Sequence, residues 1–203
     1  MSKTISISKL GTFDYCEYIF PLQKRLKEEK AKLPKPSYKL TMGTQAHKEI
    51  HEKFKVQKKK EEEIYKETGI KPTIDMNREI RVKGIDLSGR IDQIEISDSC
   101  IKIIDDKPTS TAHDGQKLQV WGYCLAYKEQ ENPTLPIYGA INDYNSNMII
   151  WEEEFTEEKE KFVKEKVERL KGILDGTVEP VPTDNPYKCL SCRLFNKCDR
   201  KAI

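Results

Sequence analysis

Four of the six cysteines form a group that is split between the two ends of the sequence. Cys16 lies near the start, whereas Cys189, Cys192 and Cys198 follow one another closely near the end. In a reducing compartment, closely spaced thiolates hold a metal ion or an iron-sulfur cluster more often than they form disulfides. Four thiolates fit either zinc or a cluster, and spacing alone does not decide between them. We expect a site that joins the two ends of the chain.

A second group combines carboxylates with a lysine and could hold a hard cation. Asp92 follows Gly-Arg-Ile, and the string Ile-Ile-Asp105-Asp106-Lys107 lies a short distance further on. Carboxylate oxygens bind Mg²⁺ or Mn²⁺, and a bound divalent ion lowers the pKa of its water far below about 15.7, so that hydroxide can attack a phosphodiester. Strand alternation places Asp105 and Lys107 on one face and turns Asp106 away, which leaves the ion mainly its backbone carbonyl. Lys107 would orient the water or offset transition-state charge.

The alternative is that this string is a solvated turn, which is the commoner origin of an isolated Asp-x-Lys pattern. Here the string follows Cys-Ile-Lys-Ile-Ile, a sequence typical of a buried strand. Carboxylates that end a buried strand are harder to explain as turn residues. The pattern therefore favours a hydrolytic site, with Asp92 and Asp105 each near the end of one of two neighbouring strands.

Three further side chains are candidates for this site. His47 lies on a predicted helix before the strands and could add an imidazole ligand, which would favour Mn²⁺ over Mg²⁺. His51 one turn later makes a zinc pair a weaker alternative, because no Glu directly follows His47. Gln119 and Tyr123 share a helix face and would present an amide and an aromatic edge to a phosphate or a base.

Composition is typical of one globular domain over residues 1–203. The chain has 36% hydrophobic and 34% charged residues, and its net charge of +2 does not by itself indicate a nucleic-acid partner. No apolar run approaches the roughly 20 residues of a membrane span, and the first residues lack the apolar core of a signal peptide. We expect a cytoplasmic protein that makes no use of the membrane.

Periodicity predicts the order helix, helix, three strands, helix, strand pair, helix and cysteine tail. Ser6 or Ser8 should cap a first helix that includes Cys16 and ends near Pro21. A second helix carries an apolar stripe with a period of four from residue 42 to residue 54. A meander of three strands follows from residue 75, then a helix over 115–130 and a hairpin around residues 145–147. The last helix should begin at Thr156, end at Gly176 and bury one apolar face that includes Phe162.

Taken in order, these motifs resemble those of a known family. They are Gly43-x-x-x-His47, Gly89-x-x-Asp92, Asp105-x-Lys107, Gln119-x-x-x-Tyr123, and Cys16 with Cys189-x-x-Cys192-x5-Cys198. The set resembles the RecB-like branch of the PD-(D/E)XK nucleases, and most of all the fourth family of CRISPR-associated proteins, which are compact exonucleases. The likeness spans nearly the whole chain. Pro108 replaces the usual small polar residue after the lysine, and Asp105 stands where some members have Glu.

The resemblance implies an α/β fold of the PD-(D/E)XK type, with a central mixed sheet flanked by helices and the two chain ends joined by a cluster. It implies that Asp92, Asp105 and His47 bind Mg²⁺ or Mn²⁺, with Asp106 adding its carbonyl. Its other assignments are Lys107 as a catalytic residue, Gln119 and Tyr123 as supports of the active site and DNA, and Cys16, Cys189, Cys192 and Cys198 as ligands of a [4Fe-4S] cluster. Residues 16–35 and 185–203 would form the cluster region.

For function, the resemblance implies an exonuclease on single-stranded DNA or frayed ends, with 5′ to 3′ polarity. Its setting would be CRISPR spacer acquisition with other adaptation proteins, or viral replication and recombination in a host cytoplasm. The alternative is an iron-sulfur protein that binds DNA and assists assembly without cleaving it. Whether the protein forms a homo-oligomer stays open.

Overall fold

The computed structural model describes residues 4–30, 52, 54–56, 58–69 and 75–202. These contain a six-stranded sheet made of β1 (Ile5–Ser6), β2 (Asp75–Lys83), β3 (Leu87–Ile96), β4 (Ile101–Lys107), β5 (Ile137–Asp143) and β6 (Met148–Glu154). The strand order is β1-β3-β4-β5-β6, and β2 pairs with the other side of β3. The β1–β3 and β4–β5 pairs are parallel and the others antiparallel, so the predicted mixed sheet is confirmed.

Helices flank this sheet. They are α1 (Ser8–Tyr15), α2 (Ile19–Glu28), α3 (Asp114–Glu131), α4 (Glu157–Asp175) and the short α5 (Pro186–Leu190). The helix α3 forms the crossover between the parallel strands β4 and β5, as such a pair requires. Residues 54–56 and 58–68 are also helical, but most of the predicted second helix lies outside the described residues. Among the helices described, none is long and apolar enough to cross a membrane.

The first turns of the chain differ from the prediction. The N-cap of α1 is Ile7, whose side chain makes no capping bond, rather than Ser6 or Ser8. Cys16 follows the helix in an extended conformation and is not helical. Pro21 lies in the first turn of α2, where a missing backbone N–H removes no helical hydrogen bond. The two residues of β1 were not predicted, because a strand of that length has no detectable period.

The last helix agrees with the prediction at both ends. The Thr156 hydroxyl accepts a hydrogen bond from the amide three residues later, and Gly176 ends the helix with φ of 79°, which favours glycine. Its buried residues are Val163, Val167, Leu170 and Ile173. Phe162, predicted to be buried, is instead 40% exposed, and its ring packs at right angles to that of Trp121.

The main core lies between the sheet and helices α1, α3 and α4. Leu10, Ile91, Ile103, Val120 and Ile141 are fully enclosed there. Burial of each such side chain contributes about 1.5–3 kcal/mol, so the helix over the sheet is held firmly. A separate small cluster of Leu22, Leu26 and Leu194 packs α2 against the C-terminal tail. The two clusters support the two candidate sites described next.

Candidate active site

The acidic residues meet where the pairing between β3 and β4 stops. This pairing runs from Ile96 opposite Ile101 to Gln93 opposite Ile104, so the same register continued by one residue sets Asp92 opposite Asp105. At that point a side chain takes the place of a backbone acceptor. Oδ2 of Asp92 accepts a hydrogen bond of 2.9 Å from the backbone N–H of Asp106. Asp92 therefore lies inside β3, where the prediction had placed it near the strand end. The two carboxylates therefore lie where the pairing between β3 and β4 ends, and not where β3 itself ends.

Asp105 and Lys107 share a face of β4, as the period of two predicts. Nζ of Lys107 lies 2.6 Å from Oδ2 of Asp105, whose side chain is only 3% exposed. Burial lowers the pKa of Lys107, but the carboxylates of Asp105 and Asp92 outweigh it and the pKa is raised. Lys107 therefore stays protonated at neutral pH. In that state it can neutralise negative charge.

The same arrangement destabilises the ionised form of Asp92. Burial and the nearby charge of Asp105 raise its pKa well above the usual value, although Lys107 acts against them. Two carboxylates held together with one lysine fit a hard divalent cation, which would relieve their repulsion. The buried Oδ2 of Asp105 is also suited to a cation, because its contact in the described part of the chain is with a cation, the Lys107 ammonium.

Asp106 is turned away from this pair. Its fully buried carboxylate accepts a hydrogen bond of 2.8 Å from Nδ2 of Asn142, which lies beside it in the parallel register of β4 and β5. Sequence reasoning missed Asn142. The available signal was an amide within the apolar strand Ile137–Asp143, but only the strand register shows what it contacts.

Gln119 and Tyr123 lie on α3 next to the acidic pair. Nε2 of Gln119 donates to the Tyr123 hydroxyl over 3.3 Å. Burial and the Asp105 charge raise the pKa of Tyr123, so its phenol stays protonated. A Cβ atom at Gly89 would lie 2.8 Å from Cε1 of Tyr123, which is closer than packing permits. The glycine three residues before Asp92 therefore makes room for the tyrosine ring.

Comparison with known proteins agrees with this geometry. A family model described as the PD-(D/E)XK nuclease superfamily matches residues 48–199, well over half of the chain. The chain belongs to the PD-(D/E)XK nuclease superfamily. Asp92 and the Asp105-Asp106-Lys107 string stand in the order of the superfamily motif, with Ile91 in place of its proline. No curated protein matches the chain.

Two solved structures share this fold at low sequence identity, and a third is less similar. A protein from Eubacterium rectale assigned as an exonuclease has a TM-score of 0.54 and 16% identity, and the alignment covers 97% of this chain and 88% of that one. The protein SSO0001 has a TM-score of 0.51 and 15% identity, with 99% and 88% covered. An alkaline exonuclease from Laribacter hongkongensis follows at 0.46 and 10%, with 85% and 88% covered. At such identities the likeness concerns the fold alone.

Four cysteines of this PD-(D/E)XK protein, one after α1 and three in the C-terminal tail, line one small cavity. Cys16, Cys189, Cys192 and Cys198 all border it. Burial raises the pKa of Cys192, and the other three cysteines add to the rise. Backbone N–H groups point at three of the sulfurs, each over 3.4 Å, from Thr183 to Cys16, from Leu194 to Cys192 and from Ala202 to Cys189. Hydrogen bonds to sulfur are typical of iron-sulfur sites, so this donor set fits a cluster.

Beside this cavity, named here the cysteine cavity, polar contacts join the N-terminal segment to the C-terminal tail and to α4. Arg25 forms two hydrogen bonds of 3.0 and 3.1 Å with Asp199, and the Tyr18 hydroxyl donates to the same carboxylate. Glu17 pairs with Arg169 through two bonds of 2.7 Å. Each contact joins residues more than 150 positions apart. The predicted meeting of the two ends is therefore present, whereas residues 31–35 of the predicted cluster region lie outside the described residues.

Neither site is complete as it stands. Across the described residues, no group of three or more His, Cys, Asp or Glu side chains already has the arrangement of a metal site. At the acidic pair, the third ligand that we predict, His47, lies outside those residues, and so does His51. The structure thus brings together Asp92, Asp105 and Lys107 with the polar pair on α3, and leaves the histidine as a prediction.

Proposed function

We propose that this protein is a metal-dependent deoxyribonuclease that acts as an exonuclease. The observation that carries the proposal is the 2.6 Å contact between Lys107 and the buried Asp105, with Asp92 held opposite by the Asp106 amide. Membership of the PD-(D/E)XK nuclease superfamily supports it. An acidic pair of this kind, built into the sheet and left with a buried charge imbalance, is costly for a protein that performs no chemistry there.

The catalytic residues divide the work as follows. Asp92 and Asp105 would hold a Mg²⁺ or Mn²⁺ ion, with His47 as a further ligand and the Asp106 carbonyl as another. A divalent ion at this place supplies an acidified water and polarises the phosphate oxygens. Lys107, protonated because of the two carboxylates, offsets the negative charge that develops on the phosphorus centre. Gln119 and Tyr123 offer neutral hydrogen-bond donors beside it, and the cleavage products carry 5′-phosphates.

The choice of substrate rests on the family resemblance. The proposed substrate is single-stranded DNA or frayed ends, which the enzyme degrades from 5′ to 3′. The proposed setting is CRISPR spacer acquisition or viral replication and recombination. Partners would be DNA and, in the first setting, adaptation proteins. Oligomeric state is open in either setting.

For the cysteine cavity we propose a [4Fe-4S] cluster bound by Cys16, Cys189, Cys192 and Cys198. Its role is structural, because it would join two chain ends that otherwise meet through the small Leu22, Leu26 and Leu194 cluster and through partly exposed polar contacts. Zinc is the competing occupant. Iron and sulfide analysis of anaerobically purified protein separates the two, since zinc protein would be colourless and free of acid-labile sulfide.

The test of nuclease function uses labelled single-stranded DNA with Mn²⁺. Wild-type protein should shorten the strand from its end, and Asp105→Asn should reduce the rate by about 10³-fold or more. Asp98→Asn is the matched control, because Asp98 is an exposed turn residue before the same strand and should leave the rate unchanged. DNA that binds to wild-type protein but is never cleaved would replace the proposal with the non-catalytic assembly role.

A further inference from the structure

A pair of buried polar side chains lies behind the acidic pair, on the other face of β4. It consists of Asp106, which is fully buried, and Asn142, which is 9% exposed. Nδ2 of Asn142 donates to Oδ1 of Asp106 over 2.8 Å. We call these two residues the Asp106–Asn142 pair. Replacing both members of a buried hydrogen bond with apolar groups of the same shape can be nearly neutral for stability, so packing alone does not account for the pair.

Asp106 is connected to the acidic pair through its backbone. Its N–H donates to Oδ2 of Asp92 over 2.9 Å, and its carbonyl is the proposed backbone ligand of the metal ion. The side chains of its chain neighbours, Asp105 and Lys107, lie on the face opposite to its own. A rotation of the backbone at Asp106 would therefore move the amide that holds Asp92, the proposed carbonyl ligand and both neighbouring side chains.

The position of Asn142 is set by the strands on both sides of β5. On one side it is the Cα partner of Asp106 in the parallel register of β4 and β5. On the other side the pairing of β5 with β6 shifts register, since Ile141 lies opposite Trp151 and Asn142 lies opposite Ile149. Such irregularities redirect side chains and are common beside active sites. Asn142 therefore lies where the sheet departs from regular pairing.

An amide is suited to this position because it donates a hydrogen bond and carries no charge. A lysine could hold the carboxylate of Asp106 as well, but its positive charge would repel a divalent ion nearby. Asn142 instead fixes Asp106 and leaves the charge of the acidic pair and its lysine unchanged.

We infer that Asn142 is a positioning residue for the metal site. By holding the side chain of Asp106, it fixes the peptide groups on both sides of that residue, and with them the relative placement of Asp92, Asp105 and the Asp106 carbonyl. The inference rests on the proposed nuclease function and adds to it a residue that contacts neither the ion nor the DNA. Loss of an outer contact of this kind typically lowers metal affinity by about 10–100-fold.

The test measures Mn²⁺ binding in the absence of DNA. The full-length protein is titrated with Mn²⁺, and the free ion is followed by electron paramagnetic resonance. Asn142→Leu keeps a side chain of similar size and removes the donor, and it should weaken Mn²⁺ binding about 10–100-fold. Asp105→Asn removes a proposed ligand and should abolish the same binding, which assigns the titrated ion to the acidic pair.

An exchange of the two groups tests the hydrogen bond itself. Asn142→Asp sets two carboxylates against each other and should also weaken Mn²⁺ binding. Adding Asp106→Asn to that variant restores one amide against one carboxylate, with donor and acceptor exchanged. This double variant should recover most of the lost Mn²⁺ affinity, because Asp106 is proposed to bind the ion through its backbone carbonyl and not through its side chain.

Asn145 provides the matched control. Its side-chain amide donates to Asp143 over 3.1 Å in the hairpin turn that follows β5. Asn145→Leu therefore removes the same kind of hydrogen bond from the same hairpin, and Mn²⁺ affinity should stay that of wild type. Circular dichroism melts of both leucine variants separate a loss of stability from a loss of affinity.

A second measurement needs no metal ion. Hydrogen exchange of the Asp106 amide, followed by NMR, reports the bond to Asp92 in the metal-free protein. In Asn142→Leu this amide should exchange about tenfold faster, because the residue that carries it is held less firmly. The amide of Ile103 on the same strand should keep its rate, which distinguishes a local change from general unfolding.

Several outcomes would overturn the inference. These are wild-type Mn²⁺ affinity in Asn142→Leu, an equal loss in Asn145→Leu, no recovery in the exchanged double variant, and wild-type protein that binds no Mn²⁺ or binds it as well after Asp105→Asn. The nuclease proposal fails separately. Wild-type protein whose Mn²⁺ binding depends on Asn142 but which never cleaves DNA would overturn that proposal and leave the positioning role in place.

Discussion

The acidic pair and the cysteine cavity are both built from side chains that bind metals, but the fold positions them in different ways. The acidic pair and its lysine come from adjacent strands, and backbone register alone sets Asp92 opposite Asp105. The cysteine cavity gathers Cys16 with residues more than 170 positions away. The position of the acidic pair therefore follows from the strand register, whereas that of the cysteine cavity depends on the packing of the two chain ends against each other.

The contacts around the two sites differ in strength for the same reason. Lys107 and Asp105 are 21% and 3% exposed, so water screens their attraction weakly. Arg25 and Asp199, which join the two chain ends beside the cysteine cavity, are 41% and 54% exposed, so water screens their attraction strongly. We therefore expect the acidic pair to keep its geometry without an ion, and we expect the closure of the cavity to depend more strongly on the proposed cluster. The following predictions test that difference.

The largest effect is expected at the acidic pair. Lys107→Met should lower the rate of DNA cleavage by about 10²–10³-fold, because the charge that faces the phosphate is lost. Secondary structure by circular dichroism should remain that of wild type. Lys102→Met is the control on the same strand, since Lys102 pairs with the partly exposed Glu152, and it should keep its activity. Equal losses in both variants would contradict a catalytic role for Lys107.

A change in the cysteine cavity should lower the thermal stability of the protein more than its rate of DNA cleavage. Cys192→Ser should lose bound iron and lower the melting temperature by about 5 °C or more, because the two chain ends are no longer joined. Cys100→Ser should retain iron and melt as wild type, since Cys100 lies outside the cavity. The measurements are iron content and thermal denaturation. Full iron content in the Cys192 variant would exclude this residue as a ligand.

The tie between Glu17 and Arg169 should be sensitive to acid. Burial raises the pKa of Glu17, but hydrogen bonds from Arg169 and the Val181 amide outweigh it, and the pKa is lowered. A lowered pKa means that the stabilisation is present above the unfolded value of 4.5 and is lost as pH falls through the folded value. Glu17→Gln should cost about 1 kcal/mol of unfolding free energy at pH 7.

This cost should shrink as the pH falls below about 4.5, because wild-type Glu17 is then protonated as well. Urea denaturation of both proteins from pH 7 to pH 3 measures the difference. Glu165→Gln, an exposed change on α4, is the control and should show no such trend. A difference that stays constant with pH would show that the ionised carboxylate contributes nothing to closure.

The smallest effect is expected at the edge of the acidic pair. Tyr123→Phe should lower the cleavage rate only severalfold, because the hydroxyl makes one long hydrogen bond, to Gln119, and contributes about 0.5–1.5 kcal/mol. Tyr127→Phe, one turn further along α3, should have no effect on the rate. A loss at Tyr123 as large as that of Lys107→Met would place the phenol in contact with the reacting phosphate.

Features that depend on local periodicity were predictable from the sequence. The period of two places Asp105 and Lys107 together, and the i and i+4 spacing places Gln119 beside Tyr123. The strand meander, the hairpin and the cap at Thr156 follow from equally local patterns. Each of these needs no more than a few neighbouring residues to be specified.

Features that depend on partners across strands were not predictable. Asn142 holds Asp106 only because β4 and β5 pair in one particular parallel register. The opposition of Arg81 and Arg90 likewise requires the register of β2 with β3. The sequence shows Asp92 after a glycine, but not that pairing ends beside it in mid-strand. Coordination by His47 stays a prediction.

The close crossing of α1 and α3 connects the two sites mechanically. A Cβ atom at Gly11 would lie 3.2 Å from the Gly115 carbonyl oxygen, and one at Gly115 would lie 3.0 Å from that of Gly11. The two backbones therefore approach closely at this crossing, beside the side chains of Asp14 and Gln119. Cys16 ends α1, and Gln119 lies one turn beyond Gly115 on α3. We therefore expect that loss of the proposed [4Fe-4S] cluster would displace α1 and, through this contact, Gln119 on α3.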